Sequence, residues 1–221
     1  MQQSTSHREE KTRKIAALRQ VIQEGERRAA LDSSVATGRE TLDAILPMGG
    51  WPRGGLSEAI GPAGGGCLTL PLCAAARMTS AGELVALVDE VGDFHGPGAV
   101  GLGVFRSLLC VVRPPGGRRS IWSAEQLARS GRFALVILHR REALRVQEAR
   151  MLRVAAEAGG AAVILVGCQG RQPPGIASLR LRVAATEAHG ISVEVLRARG
   201  GSPGGVVTLS SPLEEGTLHG A

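Results

Sequence analysis

At 221 residues and a formal net charge of +6, the chain is long enough to bury one sizeable core, and its length fits one domain or at most two. Three Phe, two Trp and no Tyr leave a core of Leu, Val, Ala and Ile, and exclude the aromatic platforms on which single-stranded bases usually stack. The 26 Lys plus Arg against 20 Asp plus Glu tilt toward a polyanion or acidic partner, although nearly all are arginine, which a GC-rich genome supplies without any function.

The opening MQQSTSHREEKTRK is polar and has no hydrophobic signal region, and no apolar run reaches the length of a bilayer span, so a cytosolic chain without a membrane partner is expected. From about Arg8 to Leu31, charged residues alternate with Ile15, Leu18, Val21 and Ile22, an apolar stripe at helical spacing that Gly25 interrupts near its end. Packing on its own domain is the default for such a stripe. Its alternative is a partner interface through Ile15, Leu18 and Ile22. A short capped helix in VATGRETLDAIL then leads through a Gly/Pro-rich turn into an apolar strand, LSEAI.

Function has to be decided in the stretch that follows, GPAGGGCL. A phosphate-binding P-loop needs Gly, four residues, Gly, Lys and then Ser or Thr: backbone N–H groups cradle the phosphates, Lys supplies charge and the hydroxyl holds Mg²⁺. Gly61 and Gly66 stand at that spacing, but the next two positions are Cys67 and Leu68. A thiol and an isobutyl group neither neutralise a γ-phosphate nor coordinate a hard, oxygen-seeking cation. Alone, the run Gly64 to Gly66 reads equally well as a flexible turn; the apolar strand before it and the Ala-rich stretch after it favour a decayed P-loop.

Four apolar runs follow: Leu84 to Asp89, Leu108 to Arg113, Phe133 to Leu138 and Ala161 to Gly167. Each is continuous rather than alternating, the pattern of strands covered on both faces. Helical segments near 123–130 and 143–158 lie between the later ones, which predicts a parallel sheet with right-handed crossovers. The end, ISVEVLRARGGSPGGVVTL, reads as a β-hairpin at the sheet's edge. Cys67, Cys73, Cys110 and Cys168 are dispersed without metal-ligand spacing, and three lie in apolar segments, so they are expected to be core thiols in a reducing compartment.

In this order the motifs resemble the RecA ATPase core, and more closely the RecA-like ImuA proteins of bacterial error-prone repair cassettes. The match runs from about Thr37 to Arg197. ATGRETLDAILPMGGWPRGGLSEAIGPAGGGCLTL is similar to the segment that leads into the RecA P-loop. VALVDEVGDFHGPGAVGLGV, LLCVVRPP and AEQLARSGRFALVIL resemble the succeeding strands, the LGV turn and the second nucleotide motif. The resemblance implies an α/β fold with a RecA-like P-loop NTPase core over residues 35–212 and a mostly parallel central sheet flanked by helices. Residues 1–34 are expected to form an N-terminal helix and linker, and 213–221 a disordered tail.

The departures from that family carry the functional expectation. Its P-loop Lys and Thr fall at Cys67 and Leu68. Asp89 is kept, yet the catalytic glutamate's position is Val91, and Glu90 would point to the other side of an extended strand. The acidic residue that ends the second motif's strand is replaced by His139, Arg140 and Arg141. Gln169 matches the glutamine that senses the γ-phosphate in RecA, but with nothing to sense a surface amide is the plainer reading. Phosphoryl transfer depends on positioning and charge neutralisation, so the reading is a pseudo-ATPase with no catalytic residues, cofactor or metal, whose degenerate nucleotide site comprises Gly61, Gly66, Cys67, Leu68 and Asp89.

The segments matching the RecA DNA-binding loops are short, which argues against a self-assembled recombinase filament. The resemblance implies a non-catalytic accessory protein of DNA-damage-induced translesion synthesis, nucleoid-associated during damage. Its expected partners are RecA, an ImuB-type polymerase-like protein and, indirectly, a DnaE-type error-prone polymerase. The alternatives are an active nucleotide-binding protein and a DNA-binding module using Arg118, Arg119, Arg140, Arg141, Arg145, Arg150 and Arg153. Arg140, Arg141 and Arg145 are its candidate contacts to DNA or an acidic partner, although DNA binding is expected to be weak or absent. Arg145, Arg150 and Arg153 are equally the solvated face of a helix that buries Leu144, Met151, Leu152 and Ala155.

Overall fold

The computed structural model describes residues 33–167, 176–187 and 190–210. The expected N-terminal helix with Ile15, Leu18 and Ile22, Gln169, Cys168 and the expected tail all lie outside them. Ten strands are present among the described residues: β1 (Ser34–Val35), β2 (Trp51–Pro52), β3 (Gly55–Ile60), β4 (Leu84–Asp89), β5 (Leu109–Val112), β6 (Phe133–His139), β7 (Ala162–Val166), β8 (Leu179–Ala185), β9 (Ile191–Ala198) and β10 (Val206–Leu209). The helices are α1 (Glu40–Asp43), α2 (Thr69–Ser80), α3 (Gly96–Gly101), α4 (Arg118–Arg129) and α5 (Val146–Gly159).

Strands β3 to β10 form one sheet in the order β10-β9-β8-β3-β7-β6-β4-β5. Pairing is parallel from β8 through β3, β7, β6 and β4 to β5, whereas β8–β9 and β9–β10 are antiparallel. The C-terminal hairpin therefore closes one edge, as its alternating sequence predicts. β1 and β2 pair separately.

The continuous apolar runs follow from this layering. Val85 and Leu87 of β4, Leu135 and Ile137 of β6, and Ile164 of β7 join Leu70, Leu72, Ala74 and Ala75 of α2 on one face. The intervening Ala86, Val88, Val136, Leu138, Val163 and Leu165 meet Ile121 and Ala124 of α4 and Leu152 and Ala155 of α5 on the other. With both faces covered, alternation has nothing to encode. β8 and β9 do alternate: Leu181, Val183, Val193 and Val195 are buried while Arg182 and Glu194 pair across the outer face at 2.6 Å.

Three expectations need correction. Leu109–Val112 is not a strand covered on both faces. β5 is the edge strand, and Cys110 and Val111 are exposed, so Cys110 is no core thiol, although Cys67 and Cys73 are buried. Helix α4 begins several residues earlier than read, directly after Gly116 and Gly117, whose φ angles of 89° and 61° break the chain before it. Helix α5 begins later, because Leu144 and Arg145 remain outside it and Glu148 accepts the Arg145 N–H at 2.7 Å, fixing the first turn.

Candidate functional site

The C-terminal ends of β3, β4, β6 and β7 surround a cleft of about 550 Å³, lined by the loop from Gly61 to Thr69, by Val91 and Asp93 after β4, and by His139, Arg140 and Arg141 where β6 ends. This is the end of a parallel sheet at which ligands of α/β proteins bind.

The glycines of the loop answer first to packing. A Cβ on Gly61 would lie 1.9 Å from the Val183 carbonyl oxygen of β8, and one on Gly66 would lie 2.6 Å from Cγ2 of Ile191 in β9. Gly66 also has φ +88°, a left-handed conformation that side-chain-bearing residues resist. The loop is thus pressed onto the hairpin side of the sheet. Cys67 follows it inward: the residue is buried in the core cluster with Val183 and Ile191, and its Sγ donates to the Val183 carbonyl at 3.9 Å. Burial pushes the Cys67 thiol up to about 11, so it is neutral near pH 7.

The loop lacks the Lys and the Ser or Thr with which a P-loop holds a magnesium-bound nucleoside triphosphate. In their place stand Cys67, a neutral thiol, and the apolar Leu68, while Thr69 and Arg141 also line the cleft. Leu68 stands at the N-cap of α2 and makes no capping hydrogen bond.

Across the cleft, parallel register sets Asp89 of β4 directly beside His139 of β6. The Asp89 side chain is 0% exposed. Its Oδ1 accepts the Gly92 N–H at 2.9 Å, and its Oδ2 accepts Arg113 Nε at 3.1 Å and the Phe94 N–H at 3.3 Å. Burial alone would raise this carboxyl. Arg113, the two backbone N–H groups and His139 together outweigh it, and Asp89 is held below the usual carboxylate range. His139 Nδ1 lies 3.5 Å from Asp89 Oδ1 and 3.3 Å from Asp93 Oδ1. Sequence reading singled out Asp89 and noted His139 only as a missing acid. It missed Asp93 altogether, because only strand register brings the two segments together.

Glu90 does turn away from the cleft, accepting the Ser120 hydroxyl of α4. Arg140 is the correction among the arginines: its side chain is 3% exposed and its Nε lies 3.6 Å from Glu90. With its guanidinium buried beside Glu90 and Glu142, Arg140 offers less to a DNA backbone than the exposed Arg141 and Arg145. Arg141 is exposed at the cleft, and Arg145, Arg150 and Arg153 are exposed on or beside α5.

The central sheet, the glycine loop between β3 and α2 and the cleft at the strand ends define a RecA-like α/β fold. The crystal structure of the RadB recombinase shares it, with a TM-score of 0.66 at 19% identity over 79% of this chain and 94% of that one. The family model described as RecA N-terminal domain matches residues 9–165, and the chain belongs to the RecA family. It is 36% identical over 118 residues to Protein RecA of Salinispora arenicola, covering 53% of this chain and 34% of that protein. With Protein RecA of Chlorobaculum parvum it shares 37% over 105 residues, covering 48% and 30%. The chain thus spans about a third of the curated relatives it matches. Among the described residues no helix is long and apolar enough to cross a membrane.

Proposed function

We propose that this chain is a non-catalytic RecA-like accessory protein of DNA-damage-induced translesion synthesis, resembling ImuA, that binds and regulates RecA, an ImuB-type polymerase-like protein, or both. One observation carries the reading: at the loop where the family holds phosphates, Cys67 is a buried, neutral thiol and Leu68 is apolar. Val91 in the catalytic position and the basic end of β6 support it. A RecA-shaped body that offers one protomer face but cannot take nucleotide across the next interface would terminate a RecA filament, by shape rather than chemistry. A DnaE-type polymerase would be reached only indirectly.

The test is RecA-stimulated strand exchange or RecA ATPase on single-stranded DNA at moderate salt, with binding to RecA measured separately without DNA. Saturable inhibition that persists with salt, together with direct binding, is expected. Inhibition that fades as salt rises, with no RecA binding in the absence of DNA, would leave only competition for DNA by a basic protein.

A further inference from the structure

We propose that Asp89, Asp93 and His139 form a binding site for a first-row divalent transition metal ion, of the Zn²⁺ or Co²⁺ class, that requires no nucleotide. One nitrogen and two carboxylate oxygens, one from each residue, lie within 4.8 Å of one another. Two of the three edges, from His139 Nδ1 to the carboxylate oxygens at 3.5 and 3.3 Å, are close to the edge of about 3.3 Å expected of a tetrahedron with metal–ligand bonds near 2.0–2.1 Å, and the third is within 4.8 Å.

Hydrogen bonding independently points to an occupant. His139 Nδ1 is buried and has no hydrogen-bond partner, although two carboxylates face it. The ring is 11% exposed and lies against Gly167, where a Cβ would come within 3.3 Å of Cδ2 and Nε2, so the imidazole is held with Nδ1 toward the acids. The same nitrogen lies at ion-pair distance from both carboxylates but makes a hydrogen bond to neither, and a metal ion between the three groups would bond to all of them.

Asp89 is prepared in the same sense. Arg113 and the Phe94 N–H occupy Oδ2 and fix the carboxylate plane, while Oδ1 receives one hydrogen bond, from Gly92, and keeps a second lone pair. Outer-sphere donors that orient a ligating carboxylate are the usual support of a metal site. Asp93 is 63% exposed and lines the open cleft, so the ion has a path in and a fourth position open to water. Imidazole in the set favours Zn²⁺ or Co²⁺ over Mg²⁺, which prefers an all-oxygen octahedron. Nothing here depends on the nucleotide site being inactive.

The test is isothermal titration of the chelator-stripped full chain with Zn²⁺, and the visible spectrum of its Co²⁺ form. The parent should bind one ion with visible bands of low-symmetry Co²⁺ and no thiolate charge-transfer absorption. Asp93→Asn, at an exposed position, and His139→Gln, checked for folding by circular dichroism, should each weaken Zn²⁺ at least about tenfold, and Mg²⁺ should not compete. No binding by the parent, equal binding by either folded variant, or a thiolate-type Co²⁺ spectrum would overturn the proposal.

Discussion

At the scale of single residues, the loop shows why a motif's spacing and its chemistry part company. Gly61 and Gly66 stand at P-loop spacing, yet each is held there by a strand that leaves no room for a Cβ. Gly66→Ala should therefore destabilise the fold by about 1–3 kcal/mol through backbone strain, with further cost from the clash with Ile191. Urea denaturation gives the value, and an unchanged midpoint would mean the loop relaxes freely. The thiols make a second expectation. Cys110 is exposed on the edge strand, while Cys67 and Cys73 are buried, so of these three an aromatic disulfide reagent should modify Cys110 first, and the others only as the protein unfolds. Cys110→Ser should abolish that fast phase.

Among the elements, β3 and β8 are joined by more than their backbone ladder. Register sets Glu58 opposite Arg180, and the two side chains form an ion pair with Glu58 almost wholly enclosed. Burial pushes the Glu58 carboxyl up, and Arg180 and Arg197 offset only part of the rise. A carboxyl whose folded value lies above its unfolded one favours folding at low pH, and that contribution is lost as pH rises through the folded value. Arg180→Ala removes the larger offset. The variant should lose about 3–5 kcal/mol near neutral pH and be less destabilised at acidic pH than at alkaline pH. Chemical denaturation at the two extremes checks the sign, and equal losses at both would contradict it.

Elements were legible in the sequence in proportion to how strongly burial dictated their residues. β4, β6 and β7, apolar on both faces, stood out as continuous runs, and the β9–β10 hairpin as alternation around glycines. β5 has the same composition but lies at the edge, and composition carries no record of which strand ends a sheet. Helix α3, GPGAVG, escaped notice because its glycines argue against a helix. It is held by Pro97 near its start and by His95 Nδ1 accepting the Gly98 N–H. The loop's altered chemistry was readable residue by residue. The grouping of Asp89, Asp93 and His139 was not, since it depends on β4 pairing with β6. Nor did the arginine run distinguish Arg140, enclosed against Glu90, from Arg141, exposed beside it.

For the molecule as a whole, the RecA family's sheet and cleft surround a loop that carries Cys67 and Leu68 where the P-loop pattern has Lys and Ser or Thr. Restoring the motif by Cys67→Lys and Leu68→Thr should not create hydrolysis: the ammonium would enter the core beside Val183 and Ile191, and position 91 would still lack a carboxylate. A phosphate-release assay on the double variant should stay at background, and turnover above it would show that the loop alone was limiting. The most direct measurement for the central claim is calorimetric titration of the parent chain with ATP and Mg²⁺. The account predicts no saturable heat, with or without the cation, whereas micromolar, Mg²⁺-dependent affinity would contradict it.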